Sequence, residues 1–80
     1  MPLGEELVIS ELRVPAGLVG RTLAEAALPR RFGVTVVAQR RGGAARSAVV
    51  QPDPHVPLVV DDTLIVVGRP EALGAMLEAL

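Results

Sequence analysis

Eighty residues make one small domain with a single modest core. Half of them are hydrophobic, yet Phe32 is the sole aromatic, so the apolar weight rests on Val, Leu and Ala. A net charge of -1 offers no field for nucleic acid or an anionic membrane, and the absence of cysteine excludes disulfides, thiolate chemistry and cysteine metal sites.

Residues 1–5 are expected to form a disordered lead, and residues 6–80 one domain. Glu5 and Glu6 stand where a signal peptide would carry basic residues. No run approaches the ~20 apolar residues of a membrane span, so direct membrane insertion is not expected. ELVISELRV, residues 6–14, reads as a strand. Val8, Ser10, Leu12 and Val14 share a face expected to be buried throughout. Leu7, Ile9, Glu11 and Arg13 share the other, expected to be buried only at its start.

Residues 15–20 form a turn-rich connector. TLAE, residues 22–25, has capping-box spacing, with Thr22 and Glu25 each satisfying the other's backbone N–H. One short helix follows, with Leu23, Ala26, Ala27 and Leu28 as its apolar positions. Pro29 ends it, since proline lacks the N–H and disfavours helical geometry at the residue before it. Gly33 marks the turn into the next strand.

VTVVAQR, residues 34–40, is that strand, with Val34, Val36 and Ala38 on one face and Thr35, Val37 and Gln39 on the other. Gly42 and Gly43 signal a turn in a loop over 41–47, and AVVQP, residues 48–52, returns as a short strand. PDPHVP, residues 52–57, holds three prolines and is expected to cross the surface in extended form. Asp61 and Asp62 turn the chain into TLIVVG, residues 63–68, whose unbroken apolar run predicts burial on both faces. Pro70 suits the first turn of a helix carrying Leu73, Met76, Leu77 and Leu80 as one apolar stripe. The order is β-α-β-β-β-α, an α+β domain with a mixed or antiparallel sheet and two helices.

Catalysis lacks an inventory. A hydrolytic triad would have to recruit Ser10 or Ser47 to His55, the one histidine, and nothing in the local pattern places them. Asp61 and Asp62 are adjacent, so on extended chain they point apart; a charged turn held by Asp62 is the simpler reading. No glycine-rich phosphate loop is present. Arg30, Arg31, Arg40 and Arg41 suit phosphate oxygens, and read equally well as solvated ends of helix and strand. The final helix carries Glu71 and Glu78 rather than the basic face of a membrane-surface helix. The excess of small aliphatics favours a homodimer that covers a second apolar face.

In order along the chain, the notable residues are Gly20, Thr22 and Leu23; Phe32 and Gly33; Val34, Val36 and Val37; Arg40; Pro52 and Pro54; and Leu58, Asp62, Leu64, Val66 and Gly68. That ordered set resembles the C-terminal domain of the regulators of potassium conductance, the RCK-C or TrkA-C family. Asp61 departs from it, standing where the family has glycine. The resemblance implies a cytoplasmic, dimerising regulatory domain rather than an enzyme. Its partner would be a membrane cation channel, transporter or antiporter subunit, so it would sit at the inner face of the membrane.

In some branches of that family the cleft between two subunits takes cyclic di-AMP, through an Arg before the aromatic-Gly pair and an Asn after it. Pro29 and Thr35 occupy those positions here, with Arg30 and Arg31 close in register. The resemblance therefore implies a ligand site, for cyclic di-AMP or another small anionic ligand, among Arg30, Arg31, Phe32, Val34, Thr35, Pro52 and His55. It implies no cofactor and no metal. The alternative is a purely structural dimerisation module without a ligand.

Overall fold

The structure, a computed structural model, describes residues 7–41 and 49–80. The expected lead, Glu6, the glycine turn at 42–43 and the start of the returning strand at Ala48 lie outside the described residues. The elements are β1 (Val8–Arg13), α1 (Leu23–Ala26), α2 (Leu28–Phe32), β2 (Thr35–Arg40), β3 (Val49–Val50), β4 (Thr63–Gly68) and α3 (Pro70–Ala79), with a single turn of 3-10 helix at Ala16–Leu18. All strand pairs are antiparallel, in the order β1-β4-β2-β3.

The one short helix of the sequence reading is two. The capping box forms as expected: the Thr22 N–H donates to Glu25 Oε1 at 3.0 Å and the Glu25 N–H donates to Thr22 Oγ1 at 3.1 Å. α1 stops at Ala27, which takes left-handed geometry at φ 51° and ψ 47°. Pro29 then sits in the first turn of α2, where its missing N–H costs no helix bond. Proline thus opens the second helix instead of only closing the first. Gly33, at φ 74°, ends α2 and releases β2.

β4 is an inner strand, paired on both edges, and its burial alternates. Leu64, Val66 and Gly68 are buried, whereas Thr63, Ile65 and Val67 are half-buried. The expectation of burial on both faces is corrected, because the helices cover one face only and the other stays open. β1 runs beside β4 with Val8 opposite Gly68, Ser10 opposite Val66 and Leu12 opposite Leu64. Its second face is exposed even at its start: Ile9 is 73% and Leu7 47% exposed.

β2 pairs with the other edge of β4, and its register shifts between Val36 and Ala38. Val36 lies opposite Val66, but Ala38 lies opposite Ile65 and Gln39 opposite Leu64. The extra residue at Val37 is a β-bulge, and it inverts the alternation expected beyond it. Gln39 therefore turns inward and is buried, while Ala38 joins the open face. Gln39 Nε2 donates to Asp62 Oδ2 at 2.8 Å, and the Val59 N–H reaches the same oxygen at 3.4 Å. Asp62 holds its turn as expected, with an amide from a neighbouring strand as an added partner.

The core lies between the inner sheet face and the helices. Leu18, Leu28, Val34, Leu58, Leu64, Val66 and Met76 are almost wholly buried in it. In α3, Leu73 and Met76 enter the core, but Leu77 is 51% exposed and leaves the expected stripe.

Candidate functional site

The stretch after β3 is tied down along its length. Asp53 Oδ1 accepts the His55 N–H at 2.9 Å, and the Val56 N–H donates to the Asp53 carbonyl at 3.3 Å, making a turn over 53–56. This corrects the extended crossing expected there, since the aspartate between two prolines supplies its own acceptor. Further on, the Gly20 N–H donates to the Leu58 carbonyl at 2.8 Å and the Leu58 N–H donates to the Arg21 carbonyl at 2.9 Å. The Ala24 N–H of α1 donates to the Pro54 carbonyl at 3.0 Å. That bond fixes the proline turn against the first helix.

Between them lies a cavity of ≈ 290 Å³. Leu23 and Ala24 of α1, Leu28 and Pro29 of α2, Thr35 and Val36 of β2, and Pro52 and Pro54 of the connecting stretch form its wall. Each wall residue is placed by a local cause. The capping box sets the angle of α1. Ala27 in left-handed geometry turns the chain so that α2 closes one side. Gly33 redirects it into β2, bringing Thr35 and Val36 to the floor. The wall is apolar apart from the Thr35 hydroxyl and backbone groups, and it carries no titratable side chain. Such a surface has the apolar character of a ligand pocket and has no acid or base for proton transfer.

Of the residues expected in a ligand site, Thr35 and Pro52 line the cavity. Arg30, Arg31 and His55 are exposed and lie outside its wall. The Arg31 guanidinium stacks 5.0 Å from the Phe32 ring centre, and its Nη1 donates to the Ala26 carbonyl at 3.4 Å. Phe32 is half-buried against the core, and Val34 is wholly buried within it. Leu23, Ala24, Leu28, Pro29, Val36 and Pro54 are wall residues the sequence reading did not assign to a site. Leu23 and Leu28 read as helix core, and no sequence signal places a proline turn against α1.

Among the described residues the one titratable group with a shifted pKa is Glu25. The Thr22 backbone N–H holds its carboxylate below the ordinary value; partial desolvation opposes this, and the Thr22 hydroxyl and nearby Arg21 add to the lowering. No group of three potential metal ligands exists among the described residues. Among them, too, no helix is long and apolar enough to cross a membrane.

The family model of the TrkA-C domain matches residues 7–80. Ktr system potassium uptake protein A of Vibrio alginolyticus is 37% identical over 79 residues, covering 99% of this chain and 34% of that protein. This chain thus spans about a third of that relative's length. The RCK C domain of the potassium transport protein KtrA, solved in complex with cyclic di-AMP, superposes with a TM-score of 0.81 at 22% identity, over 94% of this chain and 85% of that one. The GsuK RCK domain superposes with a TM-score of 0.72 at 24% identity, over 98% of this chain and 18% of that one. These likenesses share the fold of the present sheet and helices.

Proposed function

This chain belongs to the TrkA-C domain family, a regulatory and not an enzymatic domain of potassium-transport proteins, and on that premise we propose that it senses a small ligand for a cation transport system. The observation that carries the reading is the apolar cavity where α1, α2, β2 and the proline turn meet. Its wall suits a planar ring, and a KtrA domain of the same fold was solved with cyclic di-AMP. Arg30, Arg31 and His55 would serve the charged part of such a ligand from outside the wall. The domain acts as a homodimer in the cytoplasm, attached to a membrane channel, transporter or antiporter subunit. The ligand seats in a cleft between two copies, binds one arrangement of the pair more tightly, and so biases the attached gate by that difference in affinity.

Isothermal titration tests this with cyclic di-AMP, cyclic di-GMP, ATP and NAD. Cyclic di-AMP is expected to give saturable heat. Ala24→Phe, an exposed wall position, fills the cavity and is expected to weaken binding at least about tenfold, or about 1.4 kcal/mol. Flat heats across the panel would leave a structural dimerisation module, a reading favoured by the absence of any charged side chain in the wall.

A further inference from the structure

Among the described residues β1 is an edge strand, because its only sheet neighbour there is β4. The Val14 N–H donates to the Asp62 carbonyl, across the continuation of the β1–β4 pair. By alternation the backbone groups of Ser10 and Leu12 also point toward β4, and those of Ile9, Glu11 and Arg13 point outward. No described backbone group outside the sheet bonds to Ile9, Glu11 or Arg13. The strand is six residues long, unbulged and free of proline, a form that invites pairing with another strand. Glu11 and Arg13 stand two apart on the open face, and both are exposed.

We propose that β1 pairs with β1 of a second copy, antiparallel, with Glu11 opposite Arg13 of the other copy. A two-fold axis normal to the sheet keeps both open faces on one side, so outward-pointing residues can only meet outward-pointing residues. Five registers satisfy that. With Glu11 opposite Glu11, or Arg13 opposite Arg13, like charges meet directly. With Ile9 opposite Ile9, or Ile9 opposite Glu11, Glu11 faces an aliphatic chain and gains no opposite charge. Only Glu11 opposite Arg13 sets opposite charges together, and the symmetry makes the pair twice. Glu11 already contacts Arg40 of its own copy at 2.6 Å. In the paired state it lies between two guanidinium groups, Arg40 on one side and the second copy's residue 13 on the other. Leu12 then falls directly opposite its own equivalent on the inner face, and two four-stranded sheets join into one of eight.

This edge lies across β4 from β2, which carries the cavity wall, so the pairing stands whether or not the cavity takes a ligand. Together with a dimer closed over the cavity, it would give the chain two separate two-fold contacts, enough to build an assembly larger than a dimer.

The chain has no cysteine, so single substitutions report the register cleanly. Under air oxidation Leu12→Cys is expected to form a disulfide-linked pair several-fold faster than Ser10→Cys, Glu11→Cys or Arg13→Cys, since a residue opposite itself is within disulfide reach. Fastest linkage at any of the other three would overturn this register, and no linkage at any would overturn the pairing. Charge exchange gives a second readout in the intact fold. Arg13→Glu places two carboxylates opposite each other and is expected to lower the mass seen by light scattering. Adding Glu11→Arg to it restores the complement and is expected to restore the mass. A double variant no heavier than the single one would sink the proposal.

Discussion

Gly68 shows how one missing side chain fixes the centre of the sheet. A Cβ built there would lie 3.2 Å from Val34 Cγ2, so Val34, itself wholly buried, would have to give by a few tenths of an ångström. Gly68→Ala is therefore expected to destabilise the fold by about 1–3 kcal/mol in urea unfolding, as overpacking does. The glycine was legible as part of a motif, but its physical reason, the approach of Val34 from thirty-odd residues away in sequence, was not. Glu25 makes the opposite case, because its role is local and its spacing announces it. Its carboxylate accepts the Thr22 N–H and is held below its ordinary pKa. A depressed folded-state pKa means that the contribution is fully present above the unfolded value and lost as pH falls through the folded one. Glu25→Gln keeps an acceptor at the same place. It is expected to flatten the acid limb of stability against pH below the ordinary carboxylate range while changing neutral stability little. Identical acid limbs in the two proteins would show that the capping carboxylate carries none of that slope.

Elements were legible where a pattern is local and hidden where two distant segments negotiate. Read as residues 6–14, β1 is the shorter Val8–Arg13, whereas the bounds of β4 and the start of α3 follow from the aspartate turn and Pro70. The bulge at Val37 does not, since nothing in VTVVAQR distinguishes seven regular residues from six and an insertion. It is fixed by the pairing of Gln39 with Leu64 and by the buried bond from Gln39 to Asp62, which face a different part of the chain. The break between α1 and α2 was hidden for a related reason. Alanine rarely takes left-handed geometry, so LAEAALP reads as one helix cut short by proline. Ala27 accepts that strain because Leu28 must reach the core and Pro29 must line the cavity. Relieving it gives a prediction at this scale. Ala27→Gly is expected to raise stability by about 1 kcal/mol, the left-handed cost less glycine's extra freedom when unfolded. An equal or lower thermal midpoint would mean that the surroundings, not the Cβ, set that conformation.

For the molecule as a whole, the core is one-sided and the remaining aliphatic surface is divided. Ile9 lies on the open sheet face, Leu77 on α3, and Val19, Val59 and Val60 cluster where two connecting segments meet, all more than two-fifths exposed. Among the described residues nothing draws these groups into the core, because the helices cover only one side of the sheet. Their burial, where it occurs, comes from outside the described residues. That makes assembly and ligand binding thermodynamically separable. If the ligand touched only the cavity of one copy, dimer and monomer would bind it equally, and no amount of ligand would move the dissociation constant of the dimer. If the cleft between two copies completes the site, linkage requires that ligand tighten the dimer by the same factor by which dimerisation tightens the ligand. Sedimentation at graded protein concentrations, with and without saturating cyclic di-AMP, measures this directly. The expected outcome is a dissociation constant at least about fivefold lower with ligand, near the lower end of ordinary coupling energies. An unchanged constant alongside saturable titration heat would confine the ligand to a single subunit and remove the cleft from the mechanism.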